Sequence, residues 1–322
     1  MKTQETTDNY GLYNTDCVPF TAELPDNSLD MVVYSPPFCG LYNYSSDERD
    51  MSNCETRQEF YDHYEFLIEQ LARVTKPGRC NAVHVCEIPD SNQGKDSLED
   101  LPGKTIELHK KHGFRYIGRH VIWKEPLWVR LRTLQKSLQH QAVVEDAMCA
   151  GVAGADYLLI FAAKGDNQTP VSYPTGFDYY AGESPMPEEV IKYKNYGGKQ
   201  TENKYSQWIW RQYASSVWDD IRPDRVLPYK PAKDKDDERH VHPLQLDVIE
   251  RIVQLRTNPG ETVFTPFLGV GSEAYAAVSL GRKAIGTELK PSYFKQACRN
   301  LADCKPVNNT DGVVQQIALI DG

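Results

Sequence analysis

Apolar and polar positions alternate in two distinct ways along the first half of the chain. Ser28-Leu29-Asp30-Met31-Val32-Val33-Tyr34 is a short, nearly unbroken apolar run, the pattern of a strand covered on both faces. It stops at Ser35-Pro36-Pro37, which cannot continue a ladder because proline lacks the donor. Phe60, Tyr64, Leu67, Leu71 and Val74 then share one helical face, and Lys76-Pro77-Gly78 predicts where that helix stops. Ala82-Val83-His84-Val85, Arg119 to Trp123 and Asp156 to Phe161 predict three more strands. Strands alternating with helices imply an α/β fold, a mostly parallel twisted sheet with helices on both faces.

The pattern breaks between Gly165 and Asp237, a stretch rich in proline and aromatic residues with little clean period, closed by the charged run Lys233 to Arg239. Order returns after His242-Pro243. Leu244, Val248, Ile249, Ile252 and Val253 form a helical stripe, and Asn258-Pro259-Gly260 turns the chain into the strand Thr262-Val263-Phe264. A tight turn at Gly269-Val270-Gly271 precedes a helix from Glu273 to Leu280. The strand Ala284-Ile285-Gly286 ends in Glu288, and a last helix runs from Pro291 to Leu301, with proline well placed in its first turn.

Composition narrows the options without choosing among them. The 322 residues suffice for one large domain or a domain with an insert. A net charge of −9 argues against a protein that coats nucleic acid non-specifically, but leaves room for a local basic face. The eight cysteines are scattered with no Cys-x-x-Cys pair, so neither a metal site nor a disulfide framework is expected. The N-terminus is polar and no apolar stretch is long enough to span a bilayer, so no membrane association is expected and the expected location is the cytoplasm.

Two motifs carry chemistry. Phe267-x-Gly269-x-Gly271 lies between a strand and a helix. Glycines there let the backbone approach a ligand, and a helix N-terminus favours a negative group. Glu288, about 20 residues beyond, is placed to accept hydrogen bonds from two ribose hydroxyls. No Gly-Lys-Ser/Thr follows the turn, which disfavours a phosphate-binding loop. Ser35-Pro36-Pro37-Phe38 holds a rigid backbone at the carboxyl end of a buried strand, where α/β sheets bind ligands. It can aim the Ser35 hydroxyl and the Pro36 carbonyl at a ligand donor, with Phe38 as a flat apolar face. An ordinary proline turn would carry the same residues.

In this order these segments resemble the amino-methylating DNA methyltransferases, the N4-cytosine and N6-adenine enzymes. Ser35-Pro36-Pro37-Phe38 is similar to their catalytic motif, and Val263 to Ser272 to their cofactor loop. Gly281 to Leu289 resembles the strand bearing the ribose-binding acid; Asp16-Cys17 with Leu24-Pro25-Asp26 resembles the stretch that contacts the cofactor adenine; His242-Pro243-Leu244-Gln245 resembles the segment ahead of the cofactor loop. A catalytic motif that precedes the cofactor motif is similar to the permuted β class, and Leu41-Tyr42-x-Tyr44-Ser45 with Gly271-Ser272-Glu273 is similar to its phage and prophage members.

The resemblance implies a Rossmann-like fold that uses S-adenosylmethionine, held by Asp16, Cys17, His242, Thr265, Phe267, Gly269, Gly271, Ser272 and Glu288. Residues 1–165 and 238–305 would form the methyltransferase domain, 166–237 a target-recognition insert, and 306–322 a tail. One departure stands out: the family's cofactor loop opens with Asp-Pro-Phe, whereas here it is Thr265-Pro266-Phe267. Threonine brings no charge to the ligand ammonium, a role that Asp16 or Glu273 can take over.

The implied mechanism is direct. Ser35 Oγ and the Pro36 carbonyl accept the two amino hydrogens, and the freed lone pair faces the sulfonium methyl. The base must leave the duplex to be reached, and Phe38 would stack on it. The double-stranded DNA itself would meet the basic stretch Lys104 to His140, with Arg130, Arg132 and Lys136, and the basic and aromatic stretch with Lys192, Lys194, Lys204 and Arg211. The first also fits a solvated helix face, and the second a small aromatic core. Serine in the first catalytic position leans towards N4-cytosine. An RNA or other amino methyltransferase and an inactive cofactor-binding subunit are the alternatives; a homodimer is compatible with this class.

Overall fold

A computed structural model describes residues 3–38, 47–90, 97–133, 135–233 and 243–307. The strands of the main sheet are β1 (Thr3–Thr6), β2 (Tyr10–Asn14), β3 (Leu29–Tyr34), β4 (Thr75–Cys86), β7 (Arg115–Ile122), β8 (Asp156–Ala162), β9 (Val217–Trp218), β10 (Thr262–Thr265) and β11 (Lys283–Glu288). A separate small ribbon pairs β5 (Ile88–Pro89) with β6 (Leu98–Glu99). The main sheet has the order β1-β2-β11-β10-β3-β4-β8-β7-β9. From β2 through β4 all neighbours are parallel. On one side β1 is antiparallel to β2, and on the other β8 runs antiparallel to both β4 and β7.

Both faces of the sheet are covered, which explains the unbroken apolar run of β3: all six of its residues are buried. Its side chains alternate between two cores. Met31 and Val33 join the helices α8 (Leu246–Arg256), α9 (Ser272–Ser279) and α10 (Pro291–Ala302). Val32 and Tyr34 join α1 (Cys17–Glu23), α2 (Arg57–Val74) and α3 (Leu101–Lys111). Thus α2, which follows β3, and α9, which follows β10, lie on opposite faces although β3 and β10 are neighbours. That is a topological switch point, and it opens a crevice at the carboxyl ends of the two strands.

Three sequence expectations change. The helix expected to run to Lys76-Pro77-Gly78 stops at Val74, and those three residues already belong to β4. Gly78 takes a φ of 71°, and the register against β3 shifts between Leu29 and Met31, so the Pro-Gly pair forms a bulge inside the strand, not a stop before it. The middle stretch is also more regular than its composition suggests. It holds α6 (Glu188–Ile191) and α7 (Lys204–Ala214), whose Tyr205, Trp208, Ile209 and Tyr213 share a helical face. Nor does it stand apart from the main body. β9 adds to the sheet beside β7, and Trp218, Ile221 and Leu227 enter the same core as Met31.

Buried ion pairs fasten this stretch to α8. Arg251, fully buried, donates to the Ala181 carbonyl (2.6 Å) and to Asp220 (2.7 Å). Its guanidinium lies 5.1–5.4 Å from the ring centres of Tyr180, Tyr213 and Trp218. Arg222 and Arg225 pair with Asp247 and Glu250 of the same helix. Two short helices, α4 (Pro126–Thr133) and α5 (His140–Asp146), lie between β7 and β8 and carry exposed Leu127, Trp128 and Val144. No helix among the described residues is long and apolar enough to cross a membrane.

Candidate active site

The crevice at the switch point is a deep cleft that gathers loops from several strands. Ser35, Pro36, Pro37 and Phe38 enter it directly after β3. Pro266 to Val270 enter after β10, Glu288 ends β11, and Asp16 and Cys17 follow β2. The two motifs of the sequence, more than 200 residues apart in the chain, therefore face the same space.

The glycine turn and Glu288 form one unit. Gly269 adopts a φ of 53° and its N–H donates to Glu288 Oε2 at 2.7 Å; the Lys290 N–H donates to Oε1 at 2.8 Å. Burial pushes the Glu288 carboxyl up to about 7, and the two backbone donors pull against it. Each oxygen keeps a lone pair for a ligand hydroxyl. Gly271 does not line the cleft but begins α9 with a φ of 97°. A Cβ there would come within 2.9 Å of Leu301 and 3.2 Å of Ala297, so glycine is what lets α9 pack on α10. Ser272, in the first turn of α9, lines the cleft with a buried hydroxyl that has no hydrogen-bond partner. Beside it Glu273 is buried, and its carboxyl is pushed up to about 8 by that burial and by the Glu288 charge. Asp16 caps α1 by accepting from the Val18 N–H at 2.9 Å. Burial pushes the neighbouring Cys17 thiol up.

A ligand with a ribose and a cationic end fits this donor set: Glu288 for the hydroxyls, and buried Glu273 and the orphan Ser272 hydroxyl for polar groups at the mouth of α9. Thr265, by contrast, is buried in β10 behind the lining, with a hydroxyl that has no partner. The structure puts it behind the cleft wall, and Glu273 is the carboxylate that lines the cavity there. Phe267 lines the cleft and packs on Tyr34 with ring centres 5.8 Å apart. His242 lies outside the described residues, as does the stretch Leu41 to Ser45; Pro243, Leu244 and Gln245, next to His242, line the cleft.

Around Ser35 the structure adds residues that no sequence motif singles out. Ser35 Oγ is 3.1 Å from His84 Nδ1, and His84 Nε2 is 3.1 Å from Asp156 Oδ2. Arg132 donates to both oxygens of Asp156, at 2.7 and 3.1 Å. Lys124 Nζ lies 3.5 Å from the same carboxylate and donates to Gln245 at 2.9 Å. Burial pushes the Asp156 carboxyl up, but Arg132, Lys124 and the His84 hydrogen bond together hold it well below the usual carboxylate range. Arg132 was expected at DNA. Its guanidinium is instead engaged inside the cleft, holding Asp156.

The other basic residues expected at DNA lie away from the cleft lining. Arg130 is half-buried on α4, and Lys136 is exposed. Lys192 and Lys204 each sit over the Tyr193 ring, at 5.2 and 5.1 Å, and Lys194 over the Tyr205 ring at 5.7 Å. Arg211 is exposed on α7. The aromatic residues between them are core: Tyr205, Trp208 and Tyr213 pack with Tyr180 and Val190. The basic side chains form the skin of that cluster. Among the described residues no group of His, Cys, Asp or Glu could hold a metal ion.

A nine-stranded mixed α/β sheet with a switch-point cleft, a glycine turn and an acid at the end of the next strand defines the S-adenosylmethionine-dependent methyltransferase fold, and solved structures agree. PvuII DNA methyltransferase (cytosine-N4-specific) superposes with a TM-score of 0.61 at 14% identity, over 98% of this chain and 94% of that one. A putative DNA modification methylase from Thermus thermophilus, TTHA0409, solved with S-adenosyl-L-methionine, gives 0.57 at 19% identity, over 92% and 97%. The chain belongs to the N6/N4 DNA methylase family, whose model matches residues 29–299. It is therefore an amino-methylating DNA methyltransferase by family, and that family uses S-adenosylmethionine. Type II methyltransferase M.BglII of Bacillus subtilis is 24% identical over 92% of this chain and 70% of its own length. M.BamHI of Bacillus amyloliquefaciens is 27% identical over 88% of this chain and 55% of its own length.

Proposed function

We propose that the protein transfers a methyl group from S-adenosylmethionine to an exocyclic amino nitrogen of a base flipped out of duplex DNA, N4 of cytosine in preference to N6 of adenine. The observation that carries this reading is that Ser35-Pro36-Pro37-Phe38 and the Gly269–Glu288 unit open into one cleft. Cofactor contacts fall to Asp16, Cys17, Phe267, Gly269, Ser272 and Glu288, with Glu273, whose proton burial retains until a cation lies beside it, ionising against the cofactor ammonium in the role that Thr265 does not fill. Bound cofactor supplies an electrophilic methyl group. The chain supplies position: the Ser35 hydroxyl and the Pro36 carbonyl accept the amino hydrogens, which draws the nitrogen lone pair out of the ring π-system. Phe38 covers the base, and the buried walls exclude water. The preference for cytosine rests on serine at the head of the motif.

Duplex contact is assigned to Arg130 and Lys136 on one side and to Lys192, Lys194, Lys204 and Arg211 on the other, with residues 166–237 as the target-recognition segment. The test is single-turnover methyl transfer to DNA by a Ser35→Ala/Pro36→Gly double variant whose cofactor affinity is checked by calorimetry. Near-complete loss of transfer with intact cofactor binding is expected; wild-type rates would sink the assignment.

A further inference from the structure

Ser35 stands at the end of a buried chain of hydrogen bonds, and that chain has a direction. Asp156 is fixed by two bonds from Arg132 and by Lys124, so it remains a carboxylate. A carboxylate at His84 Nε2 selects the neutral tautomer with its proton on Nε2. Nδ1 is then an acceptor, and the Ser35 O–H donates to it at 3.1 Å. The lone pairs of Ser35 Oγ are left for hydrogens that approach from the cleft. Merely holding a hydroxyl requires only one polar neighbour. A carboxylate-backed imidazole behind a hydroxyl is the arrangement that can also take a proton.

We propose that Ser35, His84 and Asp156 form a relay that removes the proton which the target nitrogen must shed on methylation. This rests on the amino-methylation reading above. The amino nitrogen bonds to the methyl carbon as the carbon–sulfur bond of the sulfonium donor breaks, its electron pair staying on sulfur as a neutral thioether, so –NH₂ becomes –NH₂CH₃⁺. One N–H bond then breaks and the nitrogen keeps the electron pair. The proton passes to Ser35 Oγ while the proton already on Ser35 passes to His84 Nδ1. The products are a neutral –NHCH₃, a neutral serine, and an imidazolium lying against Asp156. The single positive charge is conserved, and it reaches water from His84 once the product leaves and the cleft opens.

His84 acts through Ser35, as a positioning residue and proton store. The charged groups that face it are Asp156 from β8, Lys124 from the segment after β7, and Arg132 from α4. Burial lowers its pKa, Asp156 raises it, and the two cations lower it further, with a net fall from the ordinary value. The ring is thus neutral, and able to accept, at neutral pH.

The experiment is single-turnover methyl transfer by wild-type enzyme and His84→Gln between about pH 5 and 8.5. Wild type is expected to lose rate on the acid side as one group becomes protonated. His84→Gln should be slower by roughly 10²-fold or more and should lack that limb, with cofactor affinity by calorimetry within about threefold of wild type. A variant rate close to wild type, or an unchanged acid limb, overturns the relay. If His84→Gln does not fold, nitrogen NMR of the wild-type protein with S-adenosylhomocysteine decides the matter. A proton on Nε2 and none on Nδ1 at pH 7 supports the relay; the opposite tautomer, or an imidazolium, overturns it. Absence of any methylated amino base in wild-type reactions would strike the amino-methylation reading instead, so the two failures separate.

Discussion

Glu273 offers a quantitative check on the cleft that does not depend on activity. The residue is 5% exposed in the first turn of α9, and burial raises its carboxyl from the ordinary 4.5 to about 8. The folded protein therefore holds this proton in a pH range where the unfolded chain has released it. Stability tracks the difference in bound protons, so the contribution is fully present below pH 4.5 and is lost as pH rises towards 8. The slope is about 1.4 kcal/mol per pH unit, with a ceiling of about 5 kcal/mol across the window. Glu273→Gln keeps the size and cannot ionise. In urea unfolding of the cofactor-free protein at pH 5, 6.5 and 8, the variant is expected to gain on wild type by about 1 kcal/mol or more per pH unit. Parallel pH dependences would mean that Glu273 carries no raised pKa in the folded protein. With saturating cofactor the variant's advantage should shrink by about 1.4 kcal/mol, the worth of a roughly tenfold loss of binding once the Glu273 carboxylate is gone.

Three further outcomes follow from the same geometry. Phe38→Ala is expected to lower kcat/KM on DNA by about 1–3 kcal/mol, the worth of one base–aromatic stack, without abolishing transfer; steady-state kinetics on a duplex substrate check it. Gly271→Ala must place a Cβ against Leu301 and Ala297 at positive φ, so thermal unfolding should show a loss of about 2 kcal/mol or more, together with weaker cofactor binding. Arg251→Met leaves Asp220 buried without its guanidinium partner, and chemical denaturation is expected to show a loss of about 3–5 kcal/mol.

The strands that build the cleft are legible in the sequence because they are buried on both faces. β3, β10 and β11 read as short apolar runs, and each ends in a residue that cannot continue the run's pattern: a proline pair, a glycine turn and an acid. His84 and Asp156 are not legible as a pair. Each sits inside or at the edge of an apolar strand, and only the antiparallel pairing of β4 with β8 brings them to one face, with His84 opposite Leu158 and Cys86 opposite Asp156. The one hint is a histidine inside an otherwise apolar run. The role of Arg132 is hidden for the same reason, since its partner lies 24 residues on, beyond α5 and at the start of β8. The stretch from 165 to 237 conceals its order because bulky aromatics serve there as core, and their helical spacing on α7 is too short a signal to stand out among prolines and glycines.

If Ser35-Pro36-Pro37-Phe38 faces the cofactor to methylate an amino nitrogen in DNA, the chemical identity of the product records it. The most direct measurement is to incubate duplex DNA with the protein and methyl-labelled S-adenosylmethionine, digest the DNA to nucleosides, and identify the labelled one by mass and chromatography. Labelled N4-methyldeoxycytidine is the predicted product. N6-methyldeoxyadenosine would keep the amino chemistry and overturn the cytosine preference, whereas label at cytosine C5, or none in any nucleoside, would rule out amino methylation of DNA by this cleft.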